Sequence, residues 1–257
     1  MTEPLVVVTR PLAQAHELAA RVTALGRQAV LFPLLDIQPL PDTTILHKAL
    51  AELERYALVA FVSPNAIDAA LAVRPDWPFD VPLAVVGEGS RAALARHGLT
   101  AERCTIYSPR NLERTDSETL LEELDLAALR GREVLIVRGE TGRELLGDTL
   151  RAAGVRVTPV AAYRRTAPEW TAERRQELRC LLDSQNDWIV TSSEALRFLE
   201  QMVARLDDAQ GVAKMQQQRL IVPHIRIADT ARSLGFSHVH QSRSGDDGLI
   251  AALQSLS

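Results

Sequence analysis

The chain is poor in the residues that most readily announce a mechanism. Cysteine occurs only at Cys104 and Cys180, far apart and in no CxxC pattern, so neither a disulfide framework nor a thiolate metal site is indicated. Both are expected to be packed, inert thiols. Lysine occurs only at Lys48 and Lys214, which leaves Schiff-base chemistry of the pyridoxal or aldolase kind almost without candidates. Aromatic residues are 4% of the chain, and its helices lean on Ala and Leu instead. Neither charge is in large surplus: a formal net charge of -4 at pH 7 argues against a dedicated nucleic-acid or membrane-surface binder while allowing a local basic cleft. No apolar run approaches the roughly 20 residues of a membrane span. MTEPLVVVTRP runs into a strand-like segment without the regions of a signal peptide. A soluble cytoplasmic protein that touches neither membrane nor nucleic acid is expected.

Familiar motifs are missing as well. GEGSRA at 87–92 starts like GxGxxG but has Ala92 where the third glycine belongs, and RGETGREL at 138–145 lacks the Gly-Lys-Ser/Thr ending of a Walker A turn. HExxH is absent. His238 and His240 lie at strand spacing with no carboxylate partner in pattern, which reads as a surface strand pair; no metal is expected. No GxSxG elbow appears.

What is present is alternation. Short apolar runs at 5–8, 29–32, 57–62, 82–86, 133–137, 187–190 and 219–222 are separated by segments such as LAQAHELAARVTAL and GRELLGDTLRAAG, with Leu and Ala at helical spacing. Strands alternating with helices imply parallel sheets covered on both faces. The pattern also repeats. VVVTRPLAQAHEL from Val6 lies on VLIVRGETGRELL from Val134, placing Arg10 on Arg138, Leu18 on Leu146 and Gly26 on Gly154. Three more pairs follow in order: LVAFVSPNAI on DWIVTSSEAL, VVGEGSRAALARHG on VPHIRIADTARSLG, and SETLLEEL on DDGLIAAL. Four pairs in register indicate two α/β units of one ancestry. PLLDIQPLP at 33–41 and PVAAYRRTAP at 159–168 occupy equivalent places and read as extended connectors.

Ligands of open parallel sheets collect at the carboxyl ends of strands, where loops lead into helix N-termini with unpaired N–H groups. The turns at those places are Thr9-Arg10, Ser63-Pro64-Asn65, Gly87-Glu88-Gly89-Ser90, Arg138-Gly139-Glu140, Thr191-Ser192-Ser193 and His224-Ile225-Arg226. Any one of their hydroxyls or amides reads as an ordinary helix cap. Their number suits a ligand with many negative groups, each helix terminus favouring an anion by about 0.3–1 kcal/mol.

These motifs in this order, VVVTRP with Gln14 and Leu18, FVSPNAI, VVGEGSRAAL, VLIVRGETGRELL, VRVTPVAAYRRT and SGDDGLIAAL, resemble the uroporphyrinogen-III synthase family over essentially the whole chain. The resemblance implies a cofactor-free lyase of tetrapyrrole biosynthesis. It would convert linear hydroxymethylbilane, a small-molecule tetrapyrrole substrate lined with carboxylates, into the macrocycle with loss of water and inversion of ring D. It also implies two similar flavodoxin-like or Rossmann-like parallel-sheet domains joined by a two-stranded connector, with the active-site cleft between them. The first domain would comprise 1–36 plus 168–257 and the second 41–160, with connectors 33–41 and 159–168. A monomer in transient contact with hydroxymethylbilane synthase is expected. Tyr163 matches the family's cleft tyrosine and is the candidate general acid or hydrogen-bond donor, a phenol keeping its proton at neutral pH; alternatively it packs the connector. Arg10, Ser63, Asn65, Gly87, Ser90, Arg138, Gly139, Thr191, Ser192 and Ser193 are the candidate substrate-binding residues. His224-Ile225-Arg226 departs from the family's small-residue turn, though Arg226 could pair with a carboxylate.

Two other functions fit parts of this pattern. A two-domain α/β receptor would close on an anion without chemistry. A nucleotide-sugar transferase would need a cleaner Gly-rich turn and a carboxylate pair better than Asp36 and Glu88.

Overall fold

A computed structural model describes residues 4–110 and 117–256. In chain order they form β1 (Val6–Val8), α1 (Leu12–Ala24), β2 (Ala29–Leu31), β3 (Asp36–Gln38), α2 (Thr44–Ala51), a 3-10 turn (Leu53–Arg55), β4 (Leu58–Phe61) and α3 (Pro64–Val73). Next come β5 (Leu83–Val85), α4 (Glu88–Arg96), β6 (Ile106–Tyr107), α5 (Ser117–Leu121), α6 (Leu126–Leu129), β7 (Glu133–Gly139), α7 (Leu145–Ala152) and β8 (Arg156–Thr166). The rest is α8 (Ala172–Leu182), β9 (Asp187–Ile189), α9 (Ser193–Ala204), α10 (Gly211–Gln216), β10 (Arg219–Val222), α11 (Ile225–Ser233), β11 (His238–Gln241) and α12 (Gly245–Ser255). No helix among the described residues is long and apolar enough to cross a membrane.

The chain divides into two compact units, Met1–Asp36 with Thr166–Ser257, and Ile37–Arg165. The first unit holds a five-stranded sheet in the order β11-β10-β9-β1-β2, every pair parallel. One face buries Val6, Val8, Ile189 and Ile221 against Leu18 and Val22 of α1 and Leu249 and Leu253 of α12. At the amino ends of its strands, fully buried Asp187 receives Arg27 at 2.8 Å and, on its other oxygen, Arg219. That bond is the main reason the Arg219 guanidinium holds its proton more tightly than usual. Trp188 meets Phe32 edge to face, ring centroids 6.1 Å apart, and donates its indole N–H to Gln218.

The second unit holds a six-stranded sheet ordered β3-β8-β7-β4-β5-β6, parallel from β8 to β6. Its strands alternate as a doubly covered sheet requires. Leu135 and Val137 of β7 enter one core with Phe61, Leu83 and Ile67, while Val134 and Ile136 enter the other with Leu120, Leu146 and Leu150. The unit is entered in β3 and left at the end of β8, neighbours at one edge of the sheet.

Numbered within its own unit by the internal repeat, each sheet reads 2-1-3-4-5, the flavodoxin-like order, with β3 added outside β8 in the second. The repeat and the unit do not coincide, however. β1 and β2 of the first repeat complete a sheet with β9, β10 and β11 of the second, and β7 and β8 of the second complete one with β4, β5 and β6 of the first. The equivalence extends to helix endings: Gly26 and Gly154 follow α1 and α7 at φ 81° and 83°, and Gly98 and Gly235 follow α4 and α11 at 75° and 85°. In this left-handed region glycine ends a helix without the steric penalty of a Cβ.

Three sequence expectations need amending. Cys104 is buried, and burial pushes its thiol up, but Cys180 lies exposed on the outer side of α8, whose buried positions are Leu178, Leu181 and Leu182. Helix α7 starts at Leu145, three residues into the segment GRELLGDTLRAAG, because the turn after Gly139 runs on to Glu144. The short strand β6 was not anticipated, being only two residues, Ile106 and Tyr107.

Candidate functional site

All six turns singled out by sequence leave the carboxyl ends of parallel strands and lead into helices: α3, α4 and α7 in the second unit, α1, α9 and α11 in the first. In each sheet the strand order reverses between the first and third strands, which opens a crevice where ligands of such folds bind. In the second unit that point lies between β7 and β4, where Gly139 and Ser63 sit.

Tyr163 reaches this point from β8, two strands away from Ser63. The pairing of β7 with β8 runs in steady register from Glu133 opposite Arg156 to Arg138 opposite Ala161, then slips so that Gly139 faces Tyr163. Ala162 is the extra residue, and such bulges re-aim a side chain. Accordingly Ala162 and Tyr163, although consecutive, both join the same core. The phenol ring then lies across Gly139: a Cβ there would be 3.0 Å from Tyr163 Cζ and 3.2 Å from its hydroxyl oxygen. Beyond the glycine, the Tyr163 hydroxyl stands 3.0 Å from Ser63 Oγ. Ser63 is also the N-cap of α3, accepting the Ala66 N–H at 3.2 Å, and Glu140 N–H donates to the Tyr163 carbonyl at 2.8 Å. The ring is 4% exposed, so its position is set by packing on several sides.

The arginines are committed differently from the sequence expectation. Arg138 is buried and donates to Glu144 Oε1 at 2.5 Å, the guanidinium folding back over Gly142, where a Cβ would be 3.0 Å from Nη2. Arg10 pairs with Asp246, in the first turn of α12, at 2.7 Å. Each arginine therefore holds a carboxylate of its own unit and stiffens its turn. Neither partner was identified from sequence; the only local sign was the glycine at 142, which lets the long Arg138 side chain turn back.

The remaining candidates differ in burial and in the local bonds they make. Ser192 caps α9 through the Glu194 N–H, and His224 Nδ1 caps α11 through the Arg226 N–H. Ser193 Oγ donates to the Arg226 carbonyl and accepts from Thr230, tying the α9 and α11 turns together. Ser90 is 2% exposed inside α4, so its side chain faces the core and not the rim. Thr191 and Asn65 are half-buried on their rims, and Arg226 is exposed. Of the helices that follow the six turns, three have no side-chain cap: α1 after Pro11, α4 after Gly87 and α7 after Glu144. There the first N–H groups are the natural anion donors. No cluster of metal-ligating side chains occurs among the described residues.

A sequence model described as uroporphyrinogen-III synthase HemD matches residues 16–251. The chain is similar to the uroporphyrinogen-III synthase of Escherichia coli, 31% identical over 254 residues covering 97% of this chain and 99% of that one. It is similar also to that of Salmonella typhimurium, 32% identical over the same shares. Among solved structures, uroporphyrinogen-III synthetase from Helicobacter pylori 26695 superposes with a TM-score of 0.64 at 12% identity, covering 99% of this chain and 100% of that one. At that identity the match speaks for the two-sheet α/β fold alone.

Proposed function

The chain belongs to the uroporphyrinogen-III synthase family, cyclising lyases of haem biosynthesis, and from that premise we propose how its own residues handle hydroxymethylbilane. Tyr163 donates its phenolic proton to the departing hydroxyl of the bilane. The carbon–oxygen bond breaks with its electron pair going to oxygen, water leaves, and the pyrrole's own electron push yields an azafulvenium cation. Ring D attacks that cation through its substituted carbon to give a spiro intermediate. Rearrangement closes the inverted ring, and the proton shed as the pyrrole regains aromaticity restores the phenol. Ser63 fixes the Tyr163 hydroxyl between the two steps, from its own fixed place at the start of α3.

The uncapped starts of α1, α4 and α7 take carboxylates through backbone N–H groups, with Gly87 and Gly139 keeping the approach open and Asn65, Thr191, Ser192, Ser193 and Arg226 on the rims beside them. Arg10 and Arg138 shape the turns through Asp246 and Glu144. Holding the bilane in one conformation, so that ring D and not an outside nucleophile meets the cation, is the main contribution.

The observation that carries this reading is the Tyr163 phenol laid over Gly139 to meet Ser63 at the switch point of its sheet. Both units build closed cores from one chain, so a monomer suffices. The unpaired thiols Cys104 and Cys180 suit a reducing compartment such as the cytoplasm. Delivery by transient contact with hydroxymethylbilane synthase would limit uncatalysed closure. The decisive test couples the chain to enzymatic hydroxymethylbilane production and separates the oxidised porphyrins by chromatography. Isomer III is expected; isomer I alone, the uncatalysed product, overturns the reading.

A further inference from the structure

We propose that Leu12 and Ile225 form an apolar shelf in the first unit on which pyrrole rings of the substrate rest. The inference deepens the function proposed above and rests on its substrate being a carboxylated tetrapyrrole. Leu12 and Ile225 are the first residues of α1 and α11, at the carboxyl ends of β1 and β10. They are 54% and 45% exposed. β1 and β10 flank β9 on either side, so the two turns stand roughly 10 Å apart, two strand spacings. That is a span for linked rings and not for a single small anion.

One exposed aliphatic residue needs no explanation. Here two occupy the same rim, at the same step of their helices, and the molecule supplies its own comparison. In the second unit the repeat-equivalent positions, on the turns after β7 and β5, are Glu140 and Glu88, both exposed. Glu88 is the first residue of α4, where a carboxylate gains from the helix dipole. Leu12 and Ile225 forgo that gain and leave apolar surface in water. The second unit's rim carries Glu140, together with Glu88 beside Arg91 and Glu144 held by Arg138. Beside the shelf stand Arg10, two residues before Leu12, and Arg226, next to Ile225; of the acids there, Asp246 is held by Arg10 and Glu194 lies in the first turn of α9. An apolar patch bordered by guanidinium groups matches a pyrrole with its apolar faces and acidic arms.

The test copies the second unit onto the first. Leu12→Glu and Ile225→Glu, singly and together, are assayed for kcat and KM with enzymatically supplied hydroxymethylbilane, and the porphyrin isomers are separated. Each single variant is expected to raise KM about tenfold, the scale of losing one large aliphatic contact, with kcat little changed and isomer III retained. Melting temperatures should hold, since a carboxylate at a helix start is favourable. Leu12→Ala and Ile225→Ala provide a second arm in which apolar area is lost without added charge, and a smaller rise in KM is expected. If both double variants, Glu and Ala, keep the wild-type KM while the wild type makes isomer III, the shelf is wrong and the family reading stands. If the wild type makes isomer I alone, the functional reading has failed and the shelf falls with it.

Discussion

Gly139 serves the site by the atom it lacks. Tyr163 lies on β8 and Ser63 follows β4, on opposite sides of β7, and only a position without a side chain lets the phenol cross between them. Two substitutions separate the chemistry from the clearance. Tyr163→Phe should slow ring closure by tenfold or more, on the roughly 100-fold scale of general acid catalysis; a wild-type rate would remove the role. Gly139→Ala places a methyl against a ring already enclosed by packing, so the ring must give by a few tenths of an ångström and strain its 3.0 Å contact with Ser63. Its kcat should fall, though by no more than that of Tyr163→Phe, and the double variant should be no slower than Tyr163→Phe, because both changes act through one hydroxyl. Additive losses in steady-state kinetics would mean that Gly139 acts on something else.

At the scale of elements, β7 shows how one strand is held at both ends. At its start, Glu133 takes Arg55 of the 3-10 turn at 2.9 Å and Thr158 of β8 at 3.0 Å. The hydrogen bond from Arg55 is the largest cause holding the Glu133 carboxyl below the usual range. A carboxyl lowered in the folded state adds stability above its unfolded value, about pH 4.3, and loses it as pH falls through the lower folded value. Denaturant melts should therefore show wild type more stable than Glu133→Gln at neutral pH and the difference fading below about pH 4; an advantage that grew toward acid would refute the assignment. At its other end, β7 gives way to the bulge and the Arg138–Glu144 turn, which postpone α7 to Leu145. Period and composition cannot show a bulge, since one extra residue leaves the apolar pattern of VTPVAAY intact while changing the direction of its last side chain.

At the scale of the molecule, each unit has its own sheet, cores and polar anchor. Asp187 anchors the first: replacing it with Ala leaves Arg27 and Arg219 without the carboxylate they share, a change expected to cost about 3–5 kcal/mol. Amide hydrogen exchange in Asp187→Ala should accelerate in β9, β10 and β1 while β4 and β7 keep their protection. Equal acceleration in both sheets would show that the chain unfolds as one cooperative body. Much of this architecture was legible in the sequence. Alternating apolar runs located the main strands, and the repeat of VVVTRP in VLIVRG identified two related units, because parallel sheets covered on both faces demand continuous apolar strands and evenly spaced helices. The strand-to-helix turns were legible too, since they follow apolar runs and precede helical periods. The atoms taken within them were not: Arg138 spends its charge on Glu144, Arg10 on Asp246, and Ser90 faces inward. By itself the sequence determined the layers, the repeat and the positions of the strand-to-helix turns, all of which depend on local period. Only the tertiary structure decided that each sheet is assembled from both repeats and that Tyr163 reaches Ser63 across Gly139, because strand order and a slipped register arise from pairing between segments that no local pattern connects.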